Sequence, residues 1–393
     1  MDINGQTPAY IQAHAHDDVR QLALSGSRDK AVDMSTALEQ IRGRQTAARK
    51  LPMLARREGI WYPVHLSMEQ CSSQEAAAYK LRLVRRLIPP AGRLSMADLT
   101  GGFGIDFLAL SMAFRQATYI ERNEQLCQLV RHNLKVLRRQ AQVVYGDGTQ
   151  ALDALPHQTL IYVDPARRAE SGARTYAIAD CTPDVLALRH RLTAQAQWVI
   201  VKLSPMLDWH EAVRQLGCVA QVHIVAVGSE CKELLLVLQA GAQGVPDIYC
   251  ATDGRVCRLE ATETGVRMLE RRVAPGDWIY EPGAAVMKSG CFGALCRRYG
   301  VEMVEANSHL FVADHEIADF PGRRFRVQAV TTLNRRQLRQ ALQGIDRANI
   351  TVRHFPIGVA DLRRRLRLAD GGDTYIYATT TAQHEHILIV CRR

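Results

Sequence analysis

The sequence predicts an α/β protein built on a mostly parallel seven-stranded sheet ending in an antiparallel hairpin, with a helical region before it and α+β units after it. Three observations predict this. From Leu66 to about residue 242, short apolar runs alternate with helical stretches, the rhythm of βαβ units in a parallel sheet. The last two runs are separated only by "GSECK", too short for a helical crossover, so they should pair as a hairpin. Charge is also uneven: Pro321 to Arg393 holds 14 Arg and no Lys against 5 acidic residues, which is +9 of the chain's net +10.

At 393 residues, 47% of them apolar and 23% charged, the chain has the composition of a folded globular protein with room for several domains. The ten cysteines are scattered, without a CxxC pair or a His/Cys cluster at zinc spacing, so reduced thiols and no structural metal are expected. The amino terminus lacks a basic flank followed by an apolar core, and no run of about 18 apolar residues occurs, so a cytoplasmic protein is expected. A basic module at one end of a balanced chain points to a polyanion, nucleic acid foremost.

Residues 1–66, with "DMSTALEQIRGRQTAARKLPMLARRE", are rich in Ala, Leu, Gln and Arg and poor in β-branched residues, which favours helices. They read either as a solvated cap on the next domain or as a nucleic-acid contact. A further helix, "SMEQCSSQEAAAYKLRLVRRL", and the turn "PPAGR" lead into the sheet. Strands are expected near 94–99, 116–121, 142–146, 160–164, 198–203, 222–227 and 233–239. Beyond "AGAQGVPD" come a strand pair around "IYCATDGRVCRLEA", a strand and helix in "GDWIYEPGAAVMKSGCFGALCRRYG", and strands at "HLFVA" and "RRFRVQAV". The end reads as helix "NRRQLRQALQGID", strand "NITVRHF", helix "GVADLRRRLRL" and a final hairpin.

The first strand runs into "MADLTGGFGIDFLALS", a glycine-rich turn and a helix start. Gly101, Gly102 and Gly104 permit a tight turn and the close approach of a ligand. A dinucleotide fingerprint would need a third glycine where Phe107 stands, and no Lys-Ser or Lys-Thr pair completes a phosphate loop. Asp98, four residues before Gly102, instead gives acid-x-x-x-Gly-x-Gly, which resembles motif I of methyltransferases that use S-adenosylmethionine. On that resemblance Asp98, Thr100, Gly102 and Gly104 hold the cofactor. Glu121, 17 residues beyond Gly104, ends the next strand where such enzymes bind the ribose hydroxyls. Asp147 ends the third strand, where an acid meets the adenine amino group, and it stands equally as a helix cap. Acids at the carboxyl ends of successive strands would line the crevice in which open α/β sheets bind ligands.

The fourth strand ends in "LIYVDPARR", the position of methyltransferase motif IV. Pro165 fixes the chain's exit, which would hold Asp164 where it can accept a proton or orient an acceptor. Enzymes that methylate exocyclic amines usually carry Asp/Asn-Pro-Pro-aromatic here, whereas Ala166 and Arg167 follow Pro165. Arg167 and Arg168 are acceptor ligands through stacking or phosphate pairing, or else surface ion pairs. Cys181 is the thiol nearest in sequence for carbon methylation but lacks a Pro-Cys or Thr-Cys setting, so a packed thiol is expected. The fifth strand ends in "KLSPML", placing Lys202 and Ser204 on the same rim, and the turn "GSECKE" would bring Glu230 and Lys232 near it or leave them at an exposed tip.

Together "LSMEQCSSQEAAAYK", "DLTGGFGID", "YIERN", "YVDPARR", "ECKEL", "YEPGAAVMKSG", "DFPGRRF" and "LADGGDTYIYATT" resemble the bacterial class I S-adenosylmethionine-dependent methyltransferases that carry a carboxyl-terminal THUMP-like domain. The resemblance spans nearly the whole chain. It implies a helical region at 1–66, a Rossmann-like methyltransferase core at 67–242, a ferredoxin-like α+β domain at 243–320 and a basic THUMP-like domain at 321–393. THUMP domains bind RNA, in agreement with the charge of that end. Arg335, Arg336 and Arg339 on one expected helix, and Arg363, Arg364, Arg365 and Arg367 on another, are candidates for phosphate contact, or they form a solvated basic face. The expectation is therefore a methyltransferase acting on rRNA or tRNA by direct transfer, with Asp164 and Arg167 at the acceptor. Its alternatives are an RNA-binding protein that holds the cofactor without turnover, and an enzyme acting on a protein or small molecule.

Overall fold

The computed structural model describes residues 5–26, 31–167, 178–262 and 264–393, with Arg167 described by its backbone alone. The chain divides into two compact units, residues 1–223 with 232–244, and residues 224–231 with 245–393. Among the described residues no helix is long and apolar enough to cross a membrane.

The first unit opens with helices α1 (Thr7–Ala13), α2 (Val19–Ser25), α3 (Met34–Lys50), α4 (Pro52–Ala55) and α5 (His65–Gln70). Asp18 and Asp33 cap α2 and α3, Asp18 accepting from two first-turn N–H groups and Asp33 from one. Ala37, Ile41 and Ala47 turn the buried face of α3 inward. Gln40 on α3 bonds the backbone of Tyr62 in both directions, at 2.8 and 2.9 Å, and so fixes the connection into the sheet domain.

Helix α6 (Gln74–Leu87) then leads to strand β1 (Ser95–Asp98), helix α7 (Ile105–Leu110), β2 (Gln116–Glu121), α8 (Glu124–Val136), β3 (Gln142–Tyr145), α9 (Gly148–Ala151) and β4 (Gln158–Val163). Two short strands, β5 (Ala166–Arg167) and β6 (Cys181–Thr182), pair antiparallel with each other beyond the end of β4. The chain continues through α10 (Val185–Gln195), β7 (Ala196–Leu203), α11 (Trp209–Leu216) and the strands β8 (Val219–Val227) and β9 (Glu230–Leu238), of which residues 224–231 count with the second unit. The seven expected strands lie side by side in the order β8-β9-β7-β4-β1-β2-β3, but the sheet they belong to has nine strands rather than seven. β3, β2, β1, β4 and β7 are parallel in that order, and β9 runs antiparallel to β7. β4 is buried along its whole length, as a central strand covered on both faces must be. Tyr79 on α6 hydrogen-bonds His223 Nδ1 on β8 at 2.7 Å, a buried polar pin between helix and sheet.

The second unit contains a hairpin of β10 (Asp247–Thr252) and β11 (Arg255–Glu260), turned by Asp253 and Gly254 at positive φ. After it come β12 (Trp278–Pro282), α12 (Ala284–Ser289), α13 (Phe292–Tyr299), β13 (Glu302–Met303), β14 (Phe311–Ala313) and β15 (Gly322–Thr331). α14 (Arg335–Ala341), β16 (Asn349–Arg353), α15 (Val359–Leu366), β17 (Thr374–Thr380) and β18 (His386–Arg392) complete the chain. The regions read from sequence as separate ferredoxin-like and THUMP-like units share one seven-stranded sheet, ordered β13-β14-β12-β15-β18-β17-β16. Glu281 on β12 stitches it: Arg323, Arg353 and the Tyr377 hydroxyl all donate to its buried carboxylate.

Candidate active site

The parallel strands of the first unit all end on one side, and there a cavity of about 1010 Å³ opens. Asp98 closes β1 and Glu121 closes β2, while Asp147, Asp164 and Ser204 follow β3, β4 and β7. All five line the cavity, as do Thr100, Gly102, Gly104, Pro165, Cys181, Lys202 and Lys232. A space of this size lies at the upper end of the range for small-molecule sites.

The turn after β1 shows why its glycines stand where they do. Gly102 and Gly104 adopt φ +56° and +82°, which other residues rarely tolerate. Nothing but the Thr100 carbonyl, at 3.7 Å, would meet a Cβ on Gly102, so its surface is left open to the cavity. Gly101 has a different reason: an added Cβ would fall 2.2 Å from the Tyr119 ring. The Gly102 amide donates to Glu121 at 2.8 Å, as does the Asn123 amide, so Glu121 is oriented by the loop and by its own strand end.

Asp98 is 2% exposed and accepts bonds from the Thr100 amide and hydroxyl. Burial pushes its carboxyl up to about 8, against the pull of the Thr100 amide and reinforced by Asp106 and Asp164, so at neutral pH it is mostly protonated. Asp147 caps α9 by accepting from the Thr149 amide and hydroxyl and lies 3.6 Å from Arg122, contacts that hold it below the usual carboxylate range. Asp147 is thus a helix cap, and it also lines the cavity.

Asp164 does not stand alone. Its amide donates to the Thr100 hydroxyl at 2.6 Å, and its carboxylate receives the Lys202 ammonium at 2.6 Å. Behind that pair lies a group of charges that sequence reasoning missed. Asp106, in the first turn of α7, accepts from the Tyr162 hydroxyl at 2.7 Å and the Ser72 hydroxyl at 2.8 Å, and lies 3.0 Å from Lys80 and 3.6 Å from Lys202. Lys80 also reaches Glu233 at 2.6 Å and the Ser72 hydroxyl at 3.1 Å. Burial raises the Asp106 carboxyl, but Lys80 and Lys202, with the bonds from Tyr162 and Ser72, outweigh it and hold Asp106 ionised. Burial likewise opposes the charge on Lys202, yet Asp164, Asp106 and Glu233 hold its pKa above the ordinary lysine value. One signal could have exposed part of this group: Asp106 lies within the same glycine-rich segment as Gly104, and it is the acid of the first helical turn.

Several expected residues are placed differently. Glu230 is not among the residues lining the cavity, because it opens β9 at an exposed two-residue turn; Lys232 reaches the rim and Glu233 turns inward to Lys80. Cys181 is buried in β6 and also lines the cavity. Arg167 contributes backbone to β5, while its side chain and the whole of Arg168 lie outside the described residues. In the second unit Arg335, Arg336 and Arg339 are exposed on α14, and Arg365 and Arg367 are exposed at the end of α15. Arg363 is committed to the fold, donating to the Ala348 and Ala369 carbonyls at 2.9 Å and pairing with Asp370. Arg364 pairs with Asp361 one turn before it.

Residues 322–393 match the family model described as THUMP domain-like, and residues 278–321 match one described as a ferredoxin-like domain. Across 98% of this chain the fold is similar to a crystal structure of a candidate methyltransferase from Porphyromonas gingivalis W83, with 29% identity, 97% of that chain covered and a TM-score of 0.85. A candidate class I S-adenosylmethionine-dependent methyltransferase from Listeria monocytogenes aligns over 62% of this chain and 91% of its own, at 8% identity and a TM-score of 0.40. No curated protein matches the sequence. The resemblance read from the sequence is thus borne out: the fold is similar to that of a candidate methyltransferase, and its last residues match ferredoxin-like and THUMP-like domains.

The buried charge group makes a direct prediction. Lys80→Met would leave Asp106 and Glu233 without their shared cation in a dry setting, so urea unfolding should show a loss of about 3–5 kcal/mol. A loss under about 1 kcal/mol would mean that the two acids are not held by Lys80.

Proposed function

We propose that this protein is an S-adenosylmethionine-dependent methyltransferase that methylates RNA by direct transfer. One observation supports it above the rest: Asp98, Glu121, Asp147 and Asp164 stand at the ends of four neighbouring parallel strands around one cavity, beside an open glycine turn. The donor set suits a cofactor that is cationic at one end and bears hydroxyls and an amine at the other. Asp98 and Thr100 would meet the charged amino-acid end, Glu121 the ribose hydroxyls and Asp147 the adenine edge, with Gly102 and Gly104 keeping the floor clear. When bound, the cofactor supplies an electrophilic methyl group on a sulfonium.

The remaining work falls to the protein. Asp164 and Arg167 would face the acceptor, with Pro165, Arg168, Lys202, Ser204 and Lys232 around it, and orientation of the two reactants would provide most of the acceleration. Exposed Arg335, Arg336, Arg339, Arg365 and Arg367 would meet RNA phosphates, which confers affinity without choice of sequence.

Transfer of labelled methyl from S-adenosylmethionine to total RNA, from cells lacking the gene, should label one RNA class. Asp164→Ala should lower that transfer about 100-fold or more while cofactor binding persists. Label confined to protein would overturn the RNA reading.

Cofactor affinity should depend on pH through Asp98. Its free carboxyl, near 8, must lose a proton when an ammonium group binds beside it, so below that pH protons compete with the cofactor. Calorimetry should show affinity rising by up to about tenfold between pH 6 and 7, with a proton released. Asp98→Asn should flatten that slope, and an equally steep slope in the variant would exclude Asp98 as its source.

Binding to a single-stranded oligoribonucleotide should weaken with salt. Replacing Arg335, Arg336 and Arg339 together by alanine should reduce the log–log salt slope by about two, measured by fluorescence anisotropy. An unchanged slope would remove α14 from the RNA-contacting surface.

A further inference from the structure

We infer that the acceptor atom is a hydroxyl oxygen, the ribose 2′-hydroxyl of the RNA, and that Asp164 and Lys202 act on it as a pair. The inference rests on the RNA-methylation reading above and narrows it to one functional group.

The pair is built to face the cavity. The Asp164 side chain is 38% exposed and Lys202 14%, while Lys80 behind them is fully buried. Asp106, 3.6 Å from Lys202 and fixed by Tyr162, Ser72 and Lys80, holds the ammonium from the rear. A fixed positive charge therefore lies 2.6 Å from the carboxylate that meets the acceptor.

That arrangement discriminates between acceptors by the sign of the charge that develops on them. An amine attacking a methyl sulfonium becomes positive in the transition state, and an adjacent immobile ammonium opposes it. A hydroxyl that gives up its proton becomes negative, and the same ammonium stabilises it as a preorganised partner. The lining of the cavity agrees. Its aromatic side chains among the described residues are Phe103 and Tyr162, both buried, and the Tyr162 hydroxyl is bound to Asp106, so neither offers a face on which an extruded base could stack. Carbon methylation of a pyrimidine would require a thiolate, whereas burial pushes the Cys71 thiol up and Cys181 is packed within β6.

The transfer balances without a further reactant. The hydroxyl oxygen forms a bond to the methyl carbon, and the electron pair of the breaking carbon–sulfur bond stays on sulfur. The hydroxyl proton passes to the Asp164 carboxylate and from there to water. Lys202 remains protonated throughout and steadies the oxygen as its proton leaves.

The test uses the full chain, labelled S-adenosylmethionine and total RNA from cells lacking the gene, followed by alkaline hydrolysis. A methylated 2′-oxygen cannot attack its own phosphodiester, so label should survive as alkali-resistant dinucleotides. Lys202→Met should lower that product about 100-fold or more, with binding of S-adenosylhomocysteine by calorimetry kept within a few-fold. If Lys202→Met proves unstable, Asp164→Asn keeps the shape of the side chain and should lose the same product. Label released as mononucleotides would mean methylation of a base, overturning the hydroxyl acceptor while leaving RNA methylation standing. No label in any RNA would overturn both. An alkali-resistant product made at full rate by Lys202→Met would overturn the role given to the pair.

Discussion

The first unit depends on one buried ammonium group. Lys80 reaches out from α6, the helix that precedes the sheet, and meets Asp106 from α7 and Glu233 from β9 with no exposure to water. A lysine costs too much to bury alone, and two carboxylates in the same dry space repel each other, so neither half of this group is stable without the other. Its consequence is geometric. It ties the helix that enters the sheet, the helix that follows the glycine turn and the strand that closes the hairpin, and thereby fixes the rear wall of the cavity. Ser72 and Tyr162 add hydrogen bonds to the group, Ser72 to both Asp106 and Lys80 and Tyr162 to Asp106.

Position along the chain explains what could be read in advance. The alternation of apolar runs and helices is a local signal, and it located seven of the sheet's nine strands to within a few residues. Glycine at positive φ is likewise local, so the turn at Gly102 and Gly104 was legible, and so were the acids that end their strands. The Lys80 group was not, because Lys80 and Glu233 are 153 residues apart and meet only once the order of strands is fixed. "ECKEL" offers two acids and a lysine within four residues, and reading it by nearness to the turn favoured Glu230 and Lys232. What decides is the alternation of strand faces, which sends Glu233 inward while Lys232 points to the rim. In the arginine-rich end a count of charges could not separate Arg363, bound to two backbone carbonyls, from Arg365, exposed two residues further along.

The protonation of Asp98 follows from the same cluster. Four carboxyl groups, Asp98, Asp106, Asp164 and Glu233, share the region with two ammonium groups, Lys80 and Lys202, and the ammonium groups reach Asp106, Asp164 and Glu233. Asp98 is set apart on β1 with hydrogen bonds from Thr100 alone to favour its ionised form, so burial prevails there and its proton stays. An ammonium-bearing ligand at this end would take the place of that proton and complete the balance of charge. At the other end Lys202 already neutralises Asp164, which leaves that side suited to an acceptor becoming negative. The cavity thus presents two electrostatic environments, one wanting a cation beside Asp98 and one tolerating an anion beside the Asp164–Lys202 pair.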